Sequence, residues 1–247
     1  MPEDLTDFGF KKVPVAEKAK RVASVFDSVA RRYDIMNDVM SLGSHRLMKR
    51  YAAEVTALRP GQLALDLAGG TGDLSVLLSP MVGETGRVVL CDINAAMVAE
   101  GRDRLIDKGI AGNVDFVLGD AEKLPFVDGT FDAITIGFGL RNVTDKDAAL
   151  RAMFASLKVG GRLVILEFSN PSSPLAKGAL DLFKQSWPLI GQAVADDGDS
   201  YRYLVESIEM HPDQKALKAM MEEAGFGACR YHNLAGGTAA IHFGIRE

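Results

Sequence analysis

Cysteine is scarce in this chain, and no stretch of it has the length and apolar character of a transmembrane span. Its 2 cysteines, Cys91 and Cys229, lie far apart without any paired spacing, so we expect no disulfide framework and a reducing compartment. Apolar runs fall well short of the roughly 20 residues that cross a bilayer, and the acidic N-terminus lacks the apolar core of a signal peptide. We therefore expect a cytoplasmic protein, which leaves docking on the inner face of a membrane open.

A basic excess and metal-ligand clusters are also missing. The chain has 28 lysines and arginines against 33 acidic residues, a formal net charge of -5, which argues against a nucleic-acid partner. The 4 histidines show no helical pair spacing and the cysteines form no pair, so no metal site is expected. Hydrophobic residues nevertheless make up 47% of the 247 positions, which is enough for a full core.

Strand and helix patterns alternate through the central part of the chain. Predicted strands cover about residues 63–67, 87–91, 115–118, 131–136 and 162–168, and predicted helices fall near 73–81, 94–108, 122–124 (a short one), 145–157 and 212–224. This rhythm is typical of an α/β fold, a parallel sheet with helices on both faces. Residues 229–234 and 239–245, joined by Gly236 and Gly237, predict an antiparallel hairpin after it.

The segments that flank this core have a different character. Residues 1–14 predict an irregular arm, and helical patterns follow over 15–33 and near 44–58. Between residues 171 and 200, prolines interrupt an apolar sequence in a way that favours an insertion of helices over sheet.

The most informative stretch, residues 64–75, reads ALDLAGGTGDLS. A strand pattern ends there in Gly69, Gly70 and Gly72, and a helical pattern follows; such a turn brings bare backbone N–H groups close to a ligand. Asp92 ends the next strand about 20 residues later, the spacing of a carboxylate that binds ribose hydroxyls. Each feature taken alone has a simpler alternative. The glycines could form an ordinary tight turn, and Asp92 could be a solvated aspartate at the end of a strand. Together the two features predict an adenosine-bearing ligand.

Two more loops follow predicted strands, at the edge where open α/β sheets bind ligands. Asp120 and Ala121 offer a carboxylate and a backbone N–H to an adenine edge, with a plain polar loop as the alternative. A predicted strand ends at Gly137, Gly139 predicts close approach of ligand or backbone, and Arg141 and Asn142 follow at the mouth of the pocket. The alternative for Arg141 is a surface ion pair with an aspartate of the following helix.

These motifs together resemble the class I S-adenosylmethionine-dependent methyltransferases, and more closely the ubiquinone/menaquinone biosynthesis C-methyltransferases. Three longer stretches carry the closer resemblance: residues 33–41 (YDIMNDVMS), 137–145 (GFGLRNVTD) and 200–208 (SYRYLVESI). The resemblance covers nearly the whole chain from Phe8 onward. Ala68 stands in place of the first glycine of the general methyltransferase motif, and Gly137 stands where the family often has a cofactor-contacting serine.

The resemblance implies a single domain with a class I methyltransferase (Rossmann-like) seven-stranded sheet, mostly parallel with an antiparallel C-terminal hairpin. Residues 1–58 would form an N-terminal arm and helical cap, and residues 171–210 a substrate lid. It also implies S-adenosyl-L-methionine as the cofactor and methyl transfer to a ring carbon of a prenylated benzoquinol or naphthoquinol. The residues that it assigns to the cofactor are Asp66, Gly69, Gly70, Thr71, Gly72, Asp92, Ile93, Asp120, Ala121 and Gly137.

Catalysis of this kind needs a group that stabilises a phenolate or takes its proton, because deprotonation makes the neighbouring ring carbon nucleophilic. Arg141 suits the stabilising role, since its guanidinium stays charged. Asn142 would orient the hydroxyl, and Tyr33 and His45 are candidates for handling the proton. For His45, a surface or capping role is the alternative.

The polyprenyl tail of such a substrate gains about 0.8 kcal/mol for each buried CH₂, so we expect the enzyme to work at a membrane surface. Residues 18–32 and 175–195 are candidates for contacting the tail or the membrane, and a lid or homodimer core is their alternative.

Three other functions compete with quinol C-methylation. They are an O- or N-methyltransferase for a small molecule, an NAD-dependent oxidoreductase, which would need a full G-x-G-x-x-G, and a non-catalytic cofactor-binding partner of a biosynthetic complex.

Overall fold

The computed structural model describes residues 5–29, 38, 41, 43–110, 112–171, 178 and 198–247. Its strands are β1 (Leu5–Phe8), β2 (Lys11–Pro14), β3 (Leu63–Leu67), β4 (Arg87–Asp92), β5 (Val114–Leu118), β6 (Phe131–Gly137), β7 (Leu157–Phe168), β8 (Gly227–Leu234) and β9 (Ala239–Ile245). Its helices are α1 (Val15–Val29), α2 (His45–Val55), α3 (Asp73–Val82), α4 (Ala95–Asp107), α5 (Lys146–Ser156), α6 (Gly198–Glu209) and α7 (Gln214–Glu223).

The main sheet has seven strands in the order β5-β4-β3-β6-β7-β9-β8. Strands β3 to β7 run parallel to one another, whereas β9 is antiparallel to both β7 and β8. This confirms the predicted mostly parallel sheet with an antiparallel C-terminal hairpin. The chain moves outward from β3 to β5 and then returns to β6 on the other side of β3. A sheet of this kind has its ligand crevice at the carboxyl ends of the strands beside that reversal.

Both faces of the sheet are buried at its central strands, such as β3, β4 and β6, which explains the near-continuous apolar runs of these strands. In β3, Ala64 belongs to one buried cluster with Leu74 and Leu78 of α3, whereas its neighbour Leu65 belongs to a second cluster with Leu150 of α5. Successive side chains of a strand point to opposite faces. Helices therefore cover both faces, and the sheet edge that carries the loops is held between two packed layers.

The prediction of an irregular arm over residues 1–14 is wrong, because β1 and β2 pair as an antiparallel hairpin. Gly9, with φ of +59°, begins the two-residue turn between them, where glycine meets the conformational demand of a tight hairpin. The Phe8 ring stacks on Tyr203 of α6 with 4.4 Å between ring centroids. An isolated two-stranded hairpin is marginal in water, so this one depends on a contact that the local sequence pattern does not reveal.

Other boundaries differ from the predicted ones in smaller ways. The short helix predicted near 122–124 is not formed, and Asp120 instead makes an isolated bridge with Lys123. Strand β7 begins at Leu157 rather than 162. Residues 30–33 of the predicted first helix, and almost all of the insertion predicted between 171 and 200, lie outside the described residues. Within the described ranges, no helix combines the length and the apolar character that crossing a membrane requires.

Candidate functional site

A cleft with about 840 Å³ of empty space, part of it open solvent, lies at the carboxyl ends of β3, β4, β5 and β6. The loops that follow these four strands form most of its wall, and helix α1 contributes Ala19, Val22 and Ala23. The cleft therefore lies at the edge where three of the loops were predicted to bind an adenosine-bearing ligand.

The glycine loop between β3 and α3 presents one of its glycines to the cleft. Gly70 lines the cleft with φ of +53°, a left-handed conformation that favours glycine. A Cβ atom at Gly69 would lie 2.8 Å from Leu90 Cγ, and one at Gly72 would collide with Leu105. Neither Gly69 nor Gly72 lines the cleft, so these two glycines let the loop pack closely on β4 and α4.

Asp92 ends β4 at the cleft wall, and its carboxylate is held on both oxygens by backbone donors. The Gly70 N–H donates to Oδ2 at 2.9 Å and the Asn94 N–H donates to Oδ1 at 2.9 Å. Burial raises the pKa of Asp92 above its ordinary value, while hydrogen bonds from Asn94, Gly70 and Ile93 act in the opposite direction. The carboxylate is thus fixed in direction before any ligand meets it.

Two predicted cofactor residues of this region lie behind the cleft wall rather than on it. Asp66 is buried, and its Oδ2 accepts from Ser75 N at 2.8 Å and from Ser75 Oγ at 2.7 Å. Burial raises the pKa of Asp66 to about 6, although the Ser75 bonds oppose that shift. Thr71 accepts from Arg104 Nη1 through its carbonyl oxygen at 3.1 Å and its Oγ1 at 3.3 Å. Both residues stabilise the glycine loop on the side that faces away from the cleft.

A partly buried charge cluster supports the same loop at Asp73, the first residue of α3. Asp73 lies 2.6 Å from Lys49 Nζ of α2 and 2.6 Å from Arg104 Nη1 of α4. Burial by itself would raise the pKa of Asp73, but the two cations lower it to about 2. Helices from three different parts of the chain therefore meet at one carboxylate under the loop.

The opposite end of the cleft is formed by the loops after β4 and β5. Ile93, Asp120 and Ala121 line it together. Ile93 is 52% exposed, so an apolar side chain stands open at the rim. Asp120 Oδ1 accepts the Glu122 N–H at 3.0 Å, which orients the carboxylate. The structure brings these three predicted residues to one place beside Asp92.

The loop after β6 closes the cleft at the reversal point of the sheet. Phe138 is buried there with φ of +57°, a conformation that costs energy for a non-glycine residue. A Cβ atom at Gly139 would lie 2.6 Å from Ala68 Cβ, so this loop touches the glycine loop closely. Gly137 does not line the cleft; a Cβ atom there would lie 2.8 Å from Leu74 Cδ1. The glycine at 137 thus permits α3 to pack on β6.

Arg141 is buried beside the cleft and does not form its wall. Its Nη1 donates to Glu167 Oε1 at 2.9 Å and also to the Phe138 carbonyl, and its backbone N–H donates to Glu167 Oε2 at 3.1 Å. The surface ion pair with an aspartate of α5, the alternative for this residue, is therefore not what forms. Glu167, at the end of β7, is a partner that the sequence analysis missed.

Asn142 lines the cleft next to Arg141 and connects it to α6. Its Oδ1 accepts from the Tyr203 hydroxyl at 3.1 Å, and burial raises the pKa of Tyr203 to about 12. Tyr33, the third predicted catalytic residue, lies outside the described residues. His45 is the buried first residue of α2, where its Nδ1 lies 2.8 Å from Ser41 Oγ and burial lowers its pKa. Ser44, and not His45, is the N-cap residue of α2.

Helix α1 and Asn94 complete the cleft, and neither was predicted as part of it. Asn94 Oδ1 caps α4 by accepting the Met97 N–H at 3.0 Å, and its Nδ2 donates to the Ala23 carbonyl of α1 at 3.3 Å. An asparagine just before a helical pattern is a recognisable N-cap signal. The contact between Asn94 and Ala23 of α1 joins residues 71 positions apart. The local sequence pattern of neither segment predicts this contact.

Comparison with known proteins decides the family. The sequence profile of the ubiE/COQ5 methyltransferase family matches residues 14–246. A Pseudomonas aeruginosa (strain LESB58) protein named ubiquinone/menaquinone biosynthesis C-methyltransferase UbiE is 58% identical over 245 residues, which cover 99% of this chain and 96% of the relative. The chain belongs to the ubiE/COQ5 methyltransferase family. A relative of the same name from Cellvibrio japonicus (strain Ueda107) is 58% identical over 242 residues, 98% of this chain and 97% of the relative.

Solved structures show that the ubiE/COQ5 chain has the class I methyltransferase fold. A SAM-dependent methyltransferase from Aquifex aeolicus superposes with a TM-score of 0.62 at 19% identity, covering 86% of this chain and 98% of that one. The [4+2]-cyclase SpnF also superposes with a TM-score of 0.62, at 18% identity and 81% coverage of each chain. A cyclase on the same fold illustrates that fold alone does not decide chemistry. Here the family decides it: the protein is a methyltransferase whose cofactor is S-adenosyl-L-methionine.

Proposed function

We propose that the protein transfers a methyl group from S-adenosyl-L-methionine to a ring carbon of a prenylated benzoquinol or naphthoquinol. The substrates would be of the 2-polyprenyl-6-methoxy-1,4-benzoquinol and demethylmenaquinol types. The observation that carries this proposal is the 58% identity, over almost the full length, to relatives named ubiquinone/menaquinone biosynthesis C-methyltransferases. An O- or N-methyltransferase would use the same cofactor cleft, but a family match from residue 14 to 246 includes the segments outside that cleft.

The cleft fits this cofactor on three grounds. The Asp92 carboxylate, fixed by Gly70 and Asn94, has the position and charge to bind the ribose hydroxyls. Asp120 and Ala121 would hold the adenine edge, and exposed Ile93 would pack on the ring. When bound, S-adenosyl-L-methionine supplies a methyl group on a sulfonium, which is already a strong electrophile. The protein therefore has to orient the acceptor and keep water away.

The other residues predicted for the cofactor receive a supporting role in this proposal. Asp66 and Thr71 fix the backbone of the glycine loop through Ser75 and Arg104. Gly69, Gly72 and Gly137 allow the loop, α4 and α3 to pack without a Cβ collision. Their substitution should act on cofactor affinity through the position of Gly70 and Asp92.

For catalysis we assign Asn142 to the quinol hydroxyl. Because the Tyr203 hydroxyl donates to Oδ1, the amide Nδ2 is the atom that would meet the substrate oxygen. Arg141 carries a charge directly behind Asn142, and its bonds to Glu167 and Phe138 hold the loop in place. Its stabilisation of the phenolate stays a prediction, as does the role of Tyr33.

We also propose a peripheral position on the inner face of the cytoplasmic membrane, because the substrate tail favours a lipid phase by about 0.8 kcal/mol per CH₂. Leu5 and Phe10, 58% and 61% exposed on the N-terminal hairpin, are available for such a surface.

A single domain with a cap over residues 1–58 and a lid within 171–210 fits the contacts of the hairpin and α6 near Asn142. A homodimer also stays a prediction, which light scattering would test.

The decisive test is methyl transfer from labelled S-adenosyl-L-methionine to prenylated benzoquinol and naphthoquinol, each supplied reduced and oxidised. We expect carbon-linked label on the reduced substrates alone, because only a quinol can form the nucleophilic phenolate. Label on oxygen would instead establish an O-methyltransferase. Cofactor binding without any transfer would favour a non-catalytic role in a biosynthetic complex.

A further inference from the structure

Two lysine side chains from distant segments converge on one backbone carbonyl at the edge of the cleft. Lys18 Nζ of α1 lies 3.3 Å from the Val143 oxygen, and Lys146 Nζ of α5 lies 3.2 Å from the same atom. Val143 lines the cleft, and so does Val22, which follows Lys18 by one helical turn on the same face of α1. The two amines are therefore neighbours directly beside the methyl-transfer site, behind Val143, and neither lysine forms the wall of the cleft.

Neither amine has a carboxylate partner within ion-pair distance among the described residues. Four carboxylates act on the pair from further away: Asp7 and Glu122 on both amines, and Asp147 and Glu167 on Lys146. Three of them are already engaged. Asp7 pairs with Lys12 at 2.7 Å, Glu167 pairs with Arg141 at 2.9 Å, and Glu122 Oε1 accepts the N–H groups of Thr144 and Asp145, each at 2.9 Å.

Two adjacent ammonium groups without a counter-ion are unfavourable in a site that water reaches poorly. Burial, followed by the charge of Lys146, lowers the pKa of Lys18 to about 8, and burial lowers the pKa of Lys146. Only 4% of Lys18 is exposed, so solvent relieves little of this cost. A lysine that loses its proton easily is suited to general-base work.

We propose that the Lys18–Lys146 pair accepts the proton of the quinol hydroxyl during methyl transfer. This rests on the proposed function, since it requires a hydroxylated acceptor at the same cleft. The O–H bond of the quinol breaks and an N–H bond forms, which turns a neutral amine into an ammonium and the quinol into a phenolate. The ammonium left behind stabilises the phenolate oxygen. The ring carbon then forms a bond to the methyl group while the carbon–sulfur bond of the sulfonium breaks and the neutral thioether leaves. The methylated ring carbon loses its hydrogen as a proton to water, which regenerates the phenolate. The phenolate takes a proton back from the ammonium, and the amine is neutral again.

The experiment compares Lys18→Met and Lys18→Arg with the wild-type enzyme in single-turnover methyl transfer to reduced prenylated quinol, between pH 6 and pH 10. Lys18→Arg keeps the positive charge but cannot release a proton at these pH values. Lys215→Met, at an exposed position of α7, is the matched control. Calorimetric titration with S-adenosyl-L-methionine monitors whether each variant still folds around its cofactor.

We expect both Lys18 variants to lose at least about 100-fold in single-turnover rate, the contribution typical of a general base. The rise of the wild-type rate with pH should disappear or move in both of them, while their cofactor affinity stays within about threefold. Full activity of Lys18→Arg would overturn the proposal and show a fixed positive charge instead. An unchanged pH profile in Lys18→Met would overturn it too. A wild-type enzyme that methylates no quinol would sink the proposed function itself, which is a separate outcome.

Discussion

The carboxylate of Asp92 accepts the backbone N–H of Gly70 at 2.9 Å, and this bond ties the end of β4 to the glycine loop that follows β3. The two features that predict an adenosine site from the sequence are thus directly bonded. The Asn94 N–H holds the other carboxylate oxygen. With both oxygens bound, the orientation of the Asp92 carboxylate and the backbone course of the glycine loop depend on each other.

Replacing Asp92 by alanine should weaken S-adenosyl-L-methionine binding by about 100-fold. Two charge-assisted hydrogen bonds to the ribose would be lost, at a cost on the order of 3 kcal/mol in binding free energy. Isothermal titration calorimetry measures the change. Asp103→Asn, at an exposed site of α4 where the aspartate pairs with Arg102, is the control and should bind normally. Unchanged affinity of Asp92→Ala would refute the ribose assignment.

Gly101→Ala should destabilise the fold by about 1–3 kcal/mol and lower cofactor affinity, the usual cost of overpacking. A Cβ atom at Gly101 would lie 2.7 Å from the Gly70 carbonyl oxygen, so α4 or the glycine loop has to shift. Chemical unfolding gives the change in free energy of unfolding. Gly112→Ala is the matched control, since a Cβ atom there meets nothing within 4 Å. Equal stabilities of the two variants would contradict this interpretation.

Arg141→Ala should leave cofactor affinity nearly intact and reduce turnover. It should also lower the free energy of unfolding by about 3–5 kcal/mol, because Glu167 would keep a buried charge without its partner. The rate is best measured well below the melting temperature, with the unfolding curve recorded in parallel. Glu167→Gln, which removes that buried charge but leaves Arg141 in place, is the companion variant. Normal turnover in folded Arg141→Ala would show that Arg141 is purely structural.

His211 makes the stability of the protein sensitive to mild acid. It is buried, and neither ring nitrogen has a hydrogen-bond partner among the residues that the structure describes. Burial lowers its pKa from 6.5 to about 4, with Glu167 opposing the shift and Lys146, Arg141 and His242 adding to it. Between those two values the folded state binds fewer protons than the unfolded state, so stability falls as the pH drops. At pH 5 the loss amounts to about 2 kcal/mol relative to pH 7.

Urea unfolding at pH 7 and pH 5 tests this dependence. His211→Leu, which is of similar volume and cannot be protonated, should lose less stability between the two pH values than the wild-type protein. His232→Gln, at an exposed position of β8, should retain the wild-type difference. A His211→Leu protein with the same loss of stability as wild type would assign the acid sensitivity to other groups.

The strands of the main sheet and most of its helices were predictable because their signals are local. The apolar runs of β3 and β4, the glycine turn after β3 and the acid that ends β4 all lie within about 30 residues of chain. The β1–β2 hairpin was not predictable in the same way. Its Phe8 packs on Tyr203, and the Phe10 N–H donates to Glu206 Oε2 across 196 residues of sequence.

The same distinction between local signals and long-range contacts applies to the candidate site. Sequence spacing identified Gly70, Asp92, Asp120 and Asn142, and these four line the cleft together. The motif alone could not separate Gly70, which faces the cleft, from Gly69, which packs on Leu90. Which side of a loop faces a ligand depends on the neighbouring strands, and the loop's own residues do not encode it.

The sequence by itself determined the fold class and the edge of the sheet where the cleft lies, because periodicity and motif spacing are properties of short segments. Its similarity to known proteins determined the family and the cofactor. Only the tertiary structure decided that α1 walls the cleft, that Arg141 pairs with Glu167, and that Lys18 meets Lys146 at the Val143 carbonyl. Lys18 and Val143 are 125 residues apart. Contacts over such distances arise from how the helices pack on the finished sheet, which no local pattern specifies.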